Sequence, residues 1–430
     1  MANNLLTISM ITNETLMVLE NELTFADHVD RQYDAQFCIP GAKIGYTVNA
    51  RKPARYIGTT GPALNVEDTN ETYQPVTLTT QFHVDVQFNT ADMATSIDLF
   101  KKRIIKPAVA TVANKIDRDG LVNAYQTVGG TVGTPGTSPS GALTFLQAGA
   151  LLDSEAVPRD GQRALILDQW TQATIADGLK GTFNPQAKIG EIVEKGLLGK
   201  MTLGFDWYMD QNVVSYTVGA QGGTPVFTTT GTSSGLLTSG WADNGTLQTS
   251  GWTASTTVLN VGDVFTLAGV YGVNPQNRGA YASNRLKQFV IIPFVGTPSA
   301  GTFNATTNQY TSSGSGTLQI QFAECAISAG QFQNVTAQPA NNASFTVLGA
   351  ASTVSPQSIA MHKDAFALVM ADLELPGGVD MAARAADKEV GMSIRVVRQY
   401  TINNDALPTR FDVLYGYKTL YRTFAVRVAG

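Results

Sequence analysis

The chain has 430 residues, 43% of them hydrophobic, and a formal net charge of −5. That length sets a prior of two or three domains with substantial cores and argues against global disorder. The acidic balance argues against a surface that clamps nucleic acid all over, because such proteins neutralise phosphates with excess Lys and Arg. In chain order, Asn13 can cap a helix whose apolar positions Leu16, Leu19, Leu23 and Ala26 recur at helical spacing, decorated by Glu14, Glu20, Glu22, Asp27 and Asp30. Arg51, Lys52 and Arg55 then precede the turn-rich tip Gly58-Thr59-Thr60-Gly61-Pro62, after which Glu67, Asp68 and Glu71 reverse the charge. Beyond the tip Val76, Leu78, Phe82, Val84, Val86 and Phe88 alternate with polar residues, which predicts one long half-buried strand. With Ile44–Val48 on the other limb it forms an extended two-stranded arm, too long for a compact hairpin, which needs another element or another subunit to rest on.

Ile97, Phe100, Ile104, Ala108, Val112 and Ile116 recur every three or four residues and predict a long helix to about Tyr125, with Pro107 kinking it or starting a second one. Helical pieces over Leu143–Leu152, Trp170–Leu179 and Ile189–Glu194 then alternate with the apolar strand Ala164–Leu167. From Asn212 to Ala360 only six side chains are charged: Asp243, Asp263, Arg278, Arg285, Lys287 and Glu324. Short apolar runs alternate there with turn-forming clusters, so the stretch reads as an all-β module inserted into an α+β host. Val264, Phe265, Leu267, Val270, Phe289, Ile291, Leu318, Ile320 and Phe322 are its expected core, and a module with its own core is expected to fold alone. After it, Ser355-Pro356 reads as a cap with proline at the first helical position, opening a helix with Ile359, Phe366, Leu368 and Val369. Strands at Ser393–Val397, Phe411–Tyr415 and Phe424–Val428 close the chain.

Motifs for catalysis are weak. Gly231-Thr232-Ser233-Ser234-Gly235 matches the pattern of a hydrolase nucleophile elbow but sits in a Ser and Thr repeat, without the strand before and helix after that the motif needs. His28, His83 and His362, with Cys38 and Cys325, offer no metal-ligand spacing, and both cysteines read as buried small apolar residues in a reducing compartment. Asp117-Arg118-Asp119-Gly120 lies on the periodic helix and reads as solvated charge. Gly199-Lys200 lacks the upstream glycine of a phosphate loop. The N-terminus lacks the basic region of a signal peptide, and no run approaches the ~20 apolar residues of a membrane helix. No catalytic residue, metal or cofactor is expected. A secreted β-rich adhesin or fibre protein and, behind it, a hydrolase using Ser233 are the alternatives to a structural subunit.

The blocks Met361–Leu368, Leu375–Val379, Gly391–Arg398, Arg410–Gly416 and Val261–Tyr271 together resemble the major capsid proteins of tailed phages, and more narrowly the coat-protein family of short-tailed Salmonella phages. The resemblance implies an α+β fold of the Hong Kong phage type with an inserted antiparallel β-barrel. It implies an N-terminal arm over 1–38, an extended loop and its strand over 39–90, and a spine helix with peripheral domain over 91–212. The barrel then covers 213–353, and 354–430 holds the axial domain and the C-terminal strands that return to the peripheral domain. It also implies an icosahedral shell of hexamers and pentamers around double-stranded DNA bound without sequence specificity. A scaffolding protein and a portal are implied partners, assembly takes place in the host cytoplasm, and no membrane is involved. Arg51, Lys52, Arg55, Glu67, Asp68 and Glu71 are the expected intersubunit contacts, and Glu14, Glu20, Glu22, Asp27 and Asp30 the scaffold-facing set. No crosslink through Lys43 or Lys52 is expected.

Overall fold

The computed structural model describes residues 23–33, 46–89, 106–179, 202–282, 284–387, 392–403 and 406–430. Its packing divides the chain into two units. One groups Met1–Ala50, Tyr73–Leu121 and Phe366–Leu420; the other groups Arg51–Thr72, Val122–Ala365 and Tyr421–Gly430. Residues 354–430 contribute to both units.

In the first unit the long strand Ala406–Thr419 is the centre of a sheet. It pairs antiparallel with Phe366–Met370, Met392–Arg398 and Thr80–Asn89, and Met381–Asp387 extends the sheet beyond Met392–Arg398. The predicted alternation sets the register: Phe82 stands opposite Val413 and Val84 opposite Phe411, with His83 and Asp85 on the wet face. The expected single strand from Val76 to Phe88 is in fact two. Thr72–Thr77 pairs with Thr47–Lys52, the chain breaks at Leu78-Thr79, and Thr80–Asn89 joins the larger sheet. The break lies where the Thr77 carbonyl passes over Gly416, so close that a Cβ there would lie 2.1 Å from the oxygen. Helix α1, Lys106–Thr127, holds Pro107 in its first turn, where no N–H is needed, and buries Ala108, Val112 and Ile116 as their spacing predicts. Ile97, Phe100 and Ile104 lie outside the described residues.

Asp117 on α1 is not solvated charge. It is 1% exposed, and its carboxylate accepts the backbone N–H groups of Thr24, Phe25 and Ala26 at 2.7, 3.4 and 3.0 Å. Three donors on one carboxylate fix the chain ahead of the short 3-10 turn Ala26–His28 and bury Leu23 and Phe25. Phe25 lies over Gly120, where an added Cβ would come within 2.5 Å of the ring. The helix expected from Asn13, with Leu16 and Leu19, lies outside the described residues.

In the second unit a sheet runs in the order Thr131–Gly133, Ala425–Ala429, Val354–His362, Arg163–Leu167, Asp206–Met209. Helices α2, Ala142–Ser154, and α3, Gln169–Leu179, contribute Phe145, Ala148, Leu152 and Ile175 to its core, beside Leu165, Trp207, Ala360 and Val426. The helix expected after Ser355-Pro356 is instead this central strand, a 3-10 turn at Lys363–Ala365 and the strand Phe366–Met370. Strands on both sides of Val354–His362 bury six consecutive residues, Gln357 to His362. With both faces buried, the run has no wet-and-dry period by which sequence could separate strand from helix, and its Gln357, Ser358 and His362 hide the burial further. Ile189–Glu194 lies outside the described residues.

The charge-poor segment is the expected barrel. Six antiparallel strands run in the order Phe345–Val347, Val264–Tyr271, Leu286–Ile291, Leu318–Ala323, Asn244–Trp252, Gly223–Phe227. The first and last meet through Phe227 N to Ala343 O and Asn342 N to Phe227 O, both 2.9 Å, which nearly closes the sheet and covers its edges. Phe265, Phe289, Phe322 and Phe345 stack inside. Of the nine expected core residues only Val264 lies elsewhere, on the opposite face with Val290, Ile292 and Ala323.

Buried polar ties join the barrel to the sheet beneath it. Lys287 Nζ lies 2.6 Å from Glu155 at the end of α2 and 3.3 Å from Glu324, and Tyr281 donates its hydroxyl to Glu155. Burial alone would lower the Lys287 pKa, but the carboxylates of Glu155 and Glu324 outweigh it and hold the ammonium well above its ordinary range. Arg427 Nη1 donates to Gly262 O at 2.6 Å while its other nitrogens hold Gln357. Asp263 accepts the Tyr216 hydroxyl at 2.6 Å and the N–H groups of Gly219 and Asn260.

Burial lifts the Asp263 carboxyl from 3.8 to about 6, against the donors and Arg427. The folded chain therefore holds a proton that the unfolded chain has lost between those values. The stabilisation from this group is complete below pH 3.8 and is lost as pH rises through about 6. The stability of wild type relative to Asp263→Asn is expected to fall by about 2–3 kcal/mol between pH 4 and pH 7, read by urea unfolding. A difference that does not change with pH contradicts this.

Candidate functional site

The strands Thr47–Lys52 and Thr72–Thr77 carry the charged loop between them. Arg51 and Glu71, on facing limbs, form an open ion pair at 4.0 Å with both side chains in solvent. Glu67 accepts the Ile57 N–H at 2.6 Å and so closes the tip across itself. The Asp68 carboxylate points to solvent, while its carbonyl takes the Gln331 side chain at 2.8 Å. Leu64 is 90% and Val66 79% exposed, with Tyr56 also in solvent, an apolar strip that none of the described residues covers.

Lys52 departs from the other basic residues. Its ammonium sits 5.7 Å from the Trp241 ring centre and 5.3 Å from that of Tyr421, inside a cavity of about 310 Å³ that Arg55, Asp243 and Glu324 also line. Burial pulls its pKa down to about 8, against the pull of Asp243. Asp243 is itself held by Arg422 Nη2 at 2.9 Å. Sequence reasoning missed Trp241, Asp243 and Tyr421 as partners of Lys52. An aromatic followed two residues on by an acid in a charge-poor stretch was the only signal available.

Of the acidic arm, Asp27 pairs with Arg31 at 3.3 Å, and Asp30 is 7% exposed with both oxygens bonded to Gln32. Glu14, Glu20 and Glu22 lie outside the described residues. Ser233 lies in an irregular loop, where its hydroxyl accepts the Gln248 N–H at 2.9 Å. His28 bonds the Thr24 carbonyl, His83 pairs with Asp85 and His362 with Asp160, so no two histidines are brought together. Cys325 is buried and its thiol is pushed up to about 12, which leaves it inert; Cys38 lies outside the described residues. Among the described residues no group of three or more His, Cys, Asp or Glu could hold a metal ion, and no helix is long and apolar enough to cross a membrane.

The family model of the P22 coat protein, gene protein 5, matches residues 1–426. No curated protein sequence matches the chain. Among solved structures, one from Mycobacterium phage Che8 is 12% identical, with 94% of this chain and 90% of that chain covered at a TM-score of 0.42. The capsid structure of the cyanophage P-SCSP1u is 10% identical, with 95% and 88% covered at 0.45. The mature capsid of bacteriophage PhiM1 is 10% identical, with 90% and 82% covered at 0.39. Likeness at these scores carries no argument; the match along the whole chain does. The chain belongs to the P22 coat protein family: it is a major capsid protein of a phage virion, a shell-forming structural subunit and not an enzyme.

Proposed function

We propose that the subunit forms hexamers and pentamers that close into an icosahedral shell around double-stranded DNA, assembled in the host cytoplasm on a scaffolding protein and a portal. The observation that carries this reading is the uncovered strip of Leu64, Val66 and Tyr56 beside the exposed charges of Arg51, Asp68 and Glu71. Apolar surface of this kind needs a neighbour, and the charges beside it suit an edge that must find one register on the next subunit. Exposed pairs contribute only ~0–1 kcal/mol each, but a shell repeats each contact many times. With a net charge of −5 the chain would enclose DNA rather than grip its sequence. Glu14, Glu20, Glu22 and Asp27 would meet a basic scaffolding domain in a contact that salt weakens. Asp30, turned to Gln32, leaves that set.

The test is the double reversal Arg51→Glu with Arg55→Glu, which leaves Lys52 in place. Sedimentation velocity is expected to show at least a tenfold loss of shells with an unchanged melting temperature. Wild-type yield would mean that the loop is not an intersubunit contact.

A further inference from the structure

We infer that Trp241, Tyr421, Asp243 and Glu324 form a cation cage that takes the Lys52 side chain of the same subunit, so that the loop from Pro53 to Glu71 is strapped to the barrel before any neighbour binds. Two rings within 6 Å of one ammonium, with carboxylates lining the same cavity, are the composition that recognises an alkylammonium group. The cage is built on fixed parts. Arg422, next to Tyr421, bonds both Asp243 and Asn244, which anchors the acid and the start of the barrel strand Asn244–Trp252. Lys52 is followed by Pro53, whose fixed φ gives the chain one direction as it leaves the cage.

Both limbs of the loop are tied to the same surface beyond the cage. Arg278 Nη2 donates to Tyr56 O at 3.3 Å on the outgoing limb. Gln331 bonds Asp68 O at 2.8 Å and the Asn70 amide at 3.1 Å on the returning one. These ties are single hydrogen bonds at exposed groups, whereas the Lys52 ammonium is drawn in between two rings beside carboxylates, so the cage is the tie that withdraws a side chain from water. Burial lowers the Lys52 pKa to about 8, which fits a side chain withdrawn from water rather than one reaching across solvent to a partner. The inference concerns the single subunit and holds whether or not the loop later contacts a neighbour.

Thermolysin digestion of the full-length unassembled subunit tests it, with cleavage inside 53–71 read by mass spectrometry. Lys52→Ala and Trp241→Leu are each expected to speed cleavage about five- to tenfold. Lys52→Arg, which keeps a cation in the cage, is expected to stay within about twofold of wild type. The double variant is expected to add little to either single one, because both remove the same contact. The idea is overturned by wild-type cleavage of Lys52→Ala. It is equally overturned by fully additive effects in the double variant, since the two residues then act on the loop separately.

Discussion

Glu155→Ala is expected to lower the unfolding free energy of the subunit by about 3–5 kcal/mol. Lys287 is 4% exposed, and Glu155 is its closest counter-charge, at 2.6 Å. Removing Glu155 leaves a buried ammonium facing only Glu324 at 3.3 Å, and it also strips the Tyr281 hydroxyl of its acceptor. Both losses fall where the barrel meets the end of α2. The cost comes from stranding one charge, not from the worth of the pair, so adding Lys287→Met to Glu155→Ala should recover most of it, to within about 1 kcal/mol of wild type. Urea unfolding of the single and double variants decides this. A double variant less stable than Glu155→Ala alone would show that the pair itself holds the barrel in place.

Asp117→Ala should release the segment Thr24–Ala26 from α1, at a cost on the order of 3 kcal/mol for three N–H groups left without their acceptor. Asp117→Asn keeps one acceptor oxygen and loses the charge, so its effect should be smaller. Gly120→Ala should act on the same contact from the other side, by driving a methyl group into the Phe25 ring. Hydrogen exchange at the Phe25 and Ala26 amides reads all three. Fast exchange confined to these amides, with the sheet around Ala406–Thr419 still protected, is the expected pattern. Unchanged protection in Asp117→Ala would mean that the carboxylate does not hold the segment.

Where one face of an element is wet, the sequence revealed it. Thr80–Asn89 alternates, α1 repeats every three or four residues, and the barrel strands carry their phenylalanines on one side, so period and core could both be read. Where both faces are buried there is no period to read, and Val354–His362 reads as a helix opened by Ser355-Pro356 although proline tolerates a strand start as well as a helix start. Charges misled in a similar way. Asp117 looks like helix surface because the donors that bury it come from residues 91 to 93 positions earlier. Lys52 looks like its neighbours Arg51 and Arg55 because its cage is assembled from Trp241 and Tyr421, far off in sequence. The scarcity of charge between Asn212 and Ala360 did carry more than the module's class. Asp243, Asp263, Arg278 and Lys287, four of the six charges that stretch retains, are residues that tie the barrel to its surroundings.

Electron cryomicroscopy of the purified protein, with and without a co-expressed scaffolding protein, decides whether this chain builds the shell. Closed shells are expected, in which five- and six-fold capsomers are built from this one chain, with the loop around Leu64 and Val66 buried against a neighbouring subunit. A field of single subunits that stay apart at high protein concentration with the scaffolding protein present, or shells in which that loop remains in solvent, would contradict it.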